Sequence, residues 1–562
     1  MEQRINTNPL LNKKIFLFIT EFLSGIAVMG VETAASRLLA PYFSSSQVVW
    51  TLIIGTILIA MSLGNFLGGR MADKHPDVTR LYVLILFSGA YICLIPFVGR
   101  YVIAFISALF ALFATHGLIV WSSLVCCLIL FVPPLMILGM VTPSLIKYTM
   151  GNSITSGKIV GGLEALNTVG SIIGTFIPTF ITIPTIGTQL TFAVFGGLLV
   201  LIALVFLITG GIHTVKENKK EENEEKEPSH ILKKGLLTFI PTAFATLGVV
   251  LSFHSPFVFW EDKTIKREFE SIYNYLQVKE DDRSIYFSTN VMFSVESMVR
   301  KDGSLTSMYY DYCLSAPYMA NIPSKGKGKV LVLGNGTGAY ASLLRRYVPY
   351  PLEITGVEID QAINDLATST FGLSKEVELI TDDGRNFLNH SKEKYDVIMV
   401  DAYSSISVPF QMASVEFFTQ VRNHLVDDGV MVMNINMAGE KDNSIDIALS
   451  DTVYSAFSQV YKYRVPYQTN DELFASNNPE FLENFYQEIP NVEDVELKNT
   501  FEKVKEVIHP HKDTGIRMSD DNADVELRSM FAVDDIVSGQ LAFYRQIYEE
   551  RGFMGLLEYL LS

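Results

Sequence analysis

Residues 330–338 read VLVLGNGTG, and that run decides the fold of the second half of the chain. The apolar residues Val330 to Leu333 suit a strand buried on both faces. Gly334-Asn335-Gly336-Thr337-Gly338 follows at once, before a helix-like segment from Ala339 to Arg346. Glycines at such a turn let the backbone bend tightly and let a ligand come close to it. A GxGxG run alone also occurs in loops that merely need positive φ, so its setting carries the weight. The next apolar strand, in ITGVEID, ends at Glu358, 24 residues after Gly334. A carboxylate there can accept hydrogen bonds from a ribose diol, and a nucleoside ligand is the expectation.

Working outward, the next apolar runs end in Asp382-Asp383-Gly384 and in YDVIMVD, whose last residue is Asp401, and a further one spans Val430 to Met433. Strands alternating with helical intervals imply a doubly wound sheet that binds ligands at the strands' C-terminal ends. Any one of these acids could simply cap the helix that follows it. Three acidic strand ends on the rim that carries the glycine loop read together as a ligand site. Upstream, from residue 253, short β-rich runs such as SIYFS (284–288) point to a small β-domain.

The first half has a different texture. Of 562 residues 49% are hydrophobic and only 19% charged, which excludes a disordered chain and an ordinary soluble enzyme. A bilayer core of ~30 Å needs ~20 helical residues. Uncharged runs of that size occur near 15–38, 48–69, 81–98, 117–140, 159–184, 188–210 and 234–252, with an eighth candidate at 101–115. The stretch KENKKEENEEKEPS (216–229) is too charged to bury a core, and 214–229 reads as a linker. Seven spans keep all the Lys/Arg clusters on one face but place the C-terminal half outside, and eight bring that half inside. Lys13 and Lys14 precede an apolar run broken by Glu21 with no small-residue cleavage site, so it reads as a retained first span. Glu21, Glu32, Arg37, Glu164 and Asn167 fall in or beside spans, as an intramembrane site or as helix-packing polar pairs. Gly64/Gly68 and Gly170/Gly174 have the spacing of close helix contacts.

Charge divides the same way. Residues 1–252 hold 16 Lys+Arg against 12 Asp+Glu, which leaves 28 against 48 for the rest. A half-chain so acidic would repel a phosphate backbone, so no nucleic acid is expected as a partner. Cys93, Cys126, Cys127 and Cys313 lack metal or redox spacing and read as packing residues.

The runs VLVLGNGTG, VEID, TDDG and YDVIMVDAYSS resemble the spermidine synthases, a branch of the Rossmann-like, S-adenosylmethionine-type methyltransferase fold. SIYNYLQV (271–278) is similar to that family's N-terminal β-domain, and Tyr309 to Tyr312 to the aromatic segment before its glycine loop. With its apolar half and the later Ser519-Asp520-Asp521, the whole chain resembles bacterial proteins that fuse a multi-span domain to a spermidine synthase-like domain. The expected architecture is a multi-span α-helical membrane domain (1–252), a small β-rich domain (253–325) and an α/β Rossmann-like domain (326–562).

The resemblance implies roles. Gly334, Gly336 and Gly338 would approach the aminoacyl or aminopropyl arm and ribose, Glu358 would bind the ribose hydroxyls, and Asp383 with Gly384 the adenine edge. Asp401 matches the catalytic aspartate, while Asn274, Tyr312, Thr337 and Ser404 stand at substrate positions. Decarboxylated S-adenosylmethionine, or S-adenosylmethionine itself, is the implied cosubstrate, with no prosthetic group and no metal, because methylthioadenosine is already a good leaving group. A polyamine acceptor, a lipid bilayer, a homodimer and a catalytic half on the cytoplasmic side, where the cosubstrate is made, complete the expectation.

The chain also departs from the pattern. Thr337 and Ser404 stand where the family usually has acidic residues, Asn274 where it has Gln, and Cys313 where it has His. Without those acids a diamine's far ammonium lacks an obvious anchor. Three readings therefore compete: a membrane-bound aminopropyltransferase; a methyltransferase or an enzyme that cleaves or cyclises the sulfonium nucleoside without an acceptor; and a polyamine transporter or sensor whose soluble domain binds nucleoside.

Overall fold

A computed structural model describes residues 10, 14–44, 46–74, 78–113, 117–150, 156–218, 228–254, 264–290, 295–402, 408–436 and 444–561. The chain divides into two compact units, 1–261 and 262–562.

The first unit is helical. Among the described residues four of its helices are long and apolar enough to cross a membrane, Lys14–Phe43, Gln47–Lys74, Val78–Ala111 and Gly157–Thr209, and the bent pair Leu118–Leu130 with Val132–Met150 would make a fifth. A shorter apolar helix covers Leu237–Phe253. Residues 101–113 continue one helix, Val78–Phe113, which runs on through Pro96 and Gly99, and Arg100 packs its guanidinium on the rings of Phe97 and Tyr101; residues 114 and 115 lie outside the described residues. The 53 residues of Gly157–Thr209 would rise ~80 Å as one straight helix. Helical geometry fails there at Gly187 (φ 81°), between the 159–184 and 188–210 runs. Helices extend into the charged stretch as far as Asn218 and resume at Pro228, and residues 219–227 lie outside the described residues.

Small residues let these helices touch. A side chain on Gly170 or Gly174 would strike the carbonyl oxygens of Phe22 and Ile26, and one on Gly64 or Gly68 would strike Met136 and Met140. At the first of these crossings the buried Glu21 accepts from Thr142 Oγ1 (2.5 Å) and Asn167 Nδ2 (2.6 Å), a polar tie between helices of the kind apolar bundles use.

The second unit begins with an antiparallel four-stranded sheet in sequential order: β1 Ile265–Glu270, β2 Tyr275–Glu280, β3 Ser284–Thr289 and β4 Ser297–Arg300. A larger sheet follows, with β5 Gly328–Leu333, β6 Leu352–Glu358, β7 Glu378–Thr381, β8 Tyr395–Val400, β9 Leu425–Ile435, β10 Gln459–Arg464, β11 Asp471–Ser476 and β12 His509–Pro510. Its spatial order is β12-β10-β11-β9-β8-β5-β6-β7. Strands β5 to β9 pair in parallel, whereas β11 is antiparallel to both β9 and β10. This is a methyltransferase-type Rossmann sheet.

The apolar runs explain it. Side chains alternate across a strand, so Val330, Val332, Val397, Met399, Val430 and Val432 enter one core. Leu331, Leu333, Ile398, Val400, Met431 and Met433 enter the other, between the sheet and the helices on its opposite face. The chain leaves β5 toward β6 and β7, then returns to lay β8 on the other side of β5. That reversal opens a crevice beyond the C-terminal ends of β5 and β8, where ligands of open α/β sheets bind.

Candidate active site

The glycine loop and Asp401 meet at this crevice. Asp401 N–H donates to Leu333 O at 2.8 Å, while the N–H groups of Gly334 and Asn335 both donate to Val357 O, at 2.9 and 3.0 Å. The exits of β5, β6 and β8 are thereby tied together. Gly334 has φ 82°, and a Cβ on it would lie 2.4 Å from Asp401 O. Its glycine is thus required by packing against the β8 exit. A Cβ on Gly338 would meet Leu373, whereas at Gly336 nothing lies closer than Ser297 Oγ at 4.0 Å. Of the three glycines, Gly336 is the one whose backbone stands in the open. Gly334→Ala is therefore expected to lower turnover at least tenfold, adding a steric collision with Asp401 to the ~1–2 kcal/mol cost of the left-handed backbone. Gly336→Ala carries the backbone cost alone. Steady-state rates and melting temperatures of the two variants check this.

Asp401 is held from two sides. The Tyr309 hydroxyl donates to Oδ2 at 2.5 Å and Asn434 Nδ2 donates to Oδ1 at 2.8 Å. Burial pushes its carboxyl up to about 7, against the two hydrogen bonds that favour the carboxylate. Glu358, also buried, accepts from Gly336 N–H at 3.0 Å and Asp360 N–H at 3.2 Å, and burial holds it at about 7. A third acid, Glu296, accepts from Thr289 Oγ1 at 2.5 Å. It is raised to about 8 by burial and, less, by the charges of Asp401 and Glu358. Among the described residues none of these three makes an ion pair with a lysine or arginine. Three carboxyls facing one another without a counter-charge suit a cationic ligand.

The other expected positions divide. Asn274 donates to Asp360 Oδ2 at 3.3 Å and accepts from Asn290 Nδ2 at 2.6 Å, so it links the small sheet to the corner behind Glu358. The Tyr312 ring packs on Tyr463, with centroids 5.0 Å apart. Thr337 is fully buried, and among the described residues its hydroxyl has no hydrogen-bond partner. Asp383 caps the helix Gly384–His390, accepting from the N–H groups of Arg385 and Asn386 at 3.0 and 2.9 Å. Oδ1 of its carboxylate is thus engaged by its own helix, and a Cβ on Gly384 would touch Met412 Cε at 3.1 Å. Asp520 grips Arg385 through both oxygens, at 2.7 and 2.6 Å. Ser404 lies outside the described residues.

Sequence reasoning did not single out Asn434, Glu296 or Glu472, nor give Tyr309 a role. Glu472 is fully buried on β11, where Cys313 Sγ donates to its Oε2 at 3.1 Å. Of these residues Tyr309 alone had a signal in the sequence, the aromatic cluster YYDY before the glycine loop.

Residues 309–477 match the model of the spermine/spermidine synthase domain. The chain is 44% identical over 336 residues to a probable polyamine aminopropyl transferase of Bifidobacterium longum, an alignment covering 56% of this chain and 73% of that protein. The chain belongs to the polyamine aminopropyltransferase family. A polyamine aminopropyltransferase of Buchnera aphidicola is 30% identical over 206 residues, 34% of this chain and 68% of that one. Among solved structures, a probable spermidine synthase from Corynebacterium glutamicum aligns over 40% of this chain and 88% of its own at 19% identity, with a TM-score of 0.33. As a member of the aminopropyltransferase family the chain is a transferase, and the glycine loop, Glu358, Asp401 and Glu472 all fall inside the matched domain. Asn274 and Glu296 precede it.

Proposed function

We propose that this aminopropyltransferase uses decarboxylated S-adenosylmethionine as donor and an amine as acceptor, and releases methylthioadenosine. The observation that carries the reading is Asp401, fixed by Tyr309 and Asn434 at the crevice beside the glycine loop. The acceptor nitrogen's lone pair attacks the aminopropyl carbon bonded to the sulfonium. The C–N bond forms, the C–S bond breaks and its electron pair goes to sulfur. The proton shed by the new ammonium passes to Asp401, whose near-neutral carboxyl suits a general base working around pH 7. Glu358 accepts from the ribose hydroxyls, and an arriving sulfonium would draw Glu296 toward its charged form. The test is to incubate purified protein with decarboxylated or intact S-adenosylmethionine, with and without diamines, and to identify every product by mass spectrometry. Aminopropylated amine with equimolar methylthioadenosine supports the reading. Methylated product, or donor cleavage that ignores the amine, overturns it.

The apolar helices would hold this enzyme, as a homodimer, in the cell membrane with the catalytic half on the cytoplasmic side, where its donor is made. A C-terminal reporter active only in the cytoplasm is the expected outcome. Activity only outside would refute it.

A further inference from the structure

An acceptor diamine makes two demands on its site. One nitrogen must be neutral to attack, and the other stays charged near neutral pH, as a lysine amine would. Burying that second charge is costly unless an anion lies within reach.

We propose that Glu472 holds the far ammonium of a diamine acceptor while the near nitrogen attacks beside Asp401, a subsite that rests on the aminopropyl-transfer reading. Two separate connections place it there. Across the β9–β11 ladder Glu472 lies directly opposite Asn434, and Asn434 donates to Asp401. On the helix Tyr309–Cys313, Tyr309 donates to Asp401, and one turn later Cys313 donates to Glu472 Oε2. One turn is a rise of ~5.4 Å, which is about the reach of a short diamine. The second oxygen, Oε1, is buried and has no hydrogen-bond partner among the described residues. The neighbouring Asp471 is already neutralised by Lys462 (3.2 Å) and Arg464 (3.2 Å), whereas among the described residues Glu472 makes no ion pair. A buried acid with one oxygen unsatisfied is costly in the empty site, and a cation supplied by a ligand would remove that cost. An oxygen left open beside the base is a receptor for a cationic donor. Burial, with the charge of Asp401 adding to it, holds the empty carboxyl well above the usual carboxylate range, and an arriving ammonium would draw it back to the ionised form.

The test compares putrescine with butylamine, which is matched in length but lacks the second nitrogen, in the full-length wild type and in Glu472→Gln. The wild type should show a KM for putrescine about 10- to 100-fold below that for butylamine, the range for a charged hydrogen bond. Glu472→Gln should raise the putrescine KM by that factor with kcat within a few-fold and leave the butylamine KM unchanged. Calorimetry with methylthioadenosine confirms that the variant's nucleoside site is intact. A putrescine KM unmoved by the substitution overturns the proposal, as does an equal loss with both amines, which is the mark of a structural role. If Glu472→Gln does not fold, the wild type alone decides, since equal KM values for the two amines refute the anchor. Wild-type protein that transfers aminopropyl to no amine removes the functional reading itself, and this proposal with it.

Discussion

Asp401→Asn is expected to lower turnover by about 10²- to 10⁴-fold, the range for removing a positioned general base, while nucleoside binding persists. The substitution keeps the shape of the side chain and its place between Tyr309 and Asn434. What it removes is the ability to take the proton from the nascent ammonium. A pH profile separates this role from a structural one. Burial raises the wild-type carboxyl to about 7, so its protonated form accumulates below that pH. kcat/KM for wild type should accordingly fall as pH drops through about 7, and the residual activity of Asp401→Asn should lack that limb. In kcat the limb should move to lower pH, because a bound sulfonium favours the carboxylate. Turnover by Asp401→Asn at the wild-type rate would remove the assignment.

Glu358→Ala should weaken nucleoside binding by about 1.5–3 kcal/mol, or roughly 10- to 100-fold. The loss has two sources in the geometry. The ribose loses its carboxylate acceptor, and the Gly336 N–H, which donates to Glu358 Oε2 at 3.0 Å, loses its partner at the one loop glycine that stands in the open. Titration calorimetry with methylthioadenosine measures this directly. An unchanged affinity would mean that the ribose lies elsewhere on the rim.

The sequence by itself determined the features that depend on short-range pattern. Continuous apolar runs separated by helical intervals specified a doubly wound sheet, because a parallel strand buried on both faces has no polar side to display. The glycine run after Leu333 and the carboxylates ending β6 and β8 were legible for the same reason, since a strand's last residue is fixed by the strand before it. Hydropathy likewise marked the N-terminal helices, but it could not tell one 36-residue helix, Val78–Phe113, from two helices, because that choice rests on whether Pro96, Gly99 and Arg100 end the helix.

Only the tertiary structure decided who meets whom. Tyr309 reaches Asp401 across 92 residues and Cys313 reaches Glu472 across 159, and no local period encodes such a pairing. In DELFAS, Glu472 reads as an ordinary polar residue of a strand, and it becomes a buried acid with an open oxygen because β11 inserts between β9 and β10. Gly334 reads as a place for a ligand, yet the room its missing side chain leaves is filled by the backbone of Asp401. Periodicity reports which face of an element is apolar. The charge a site can tolerate is set by the dielectric and the partners that other elements bring, and these exist only once the sheet has closed around it.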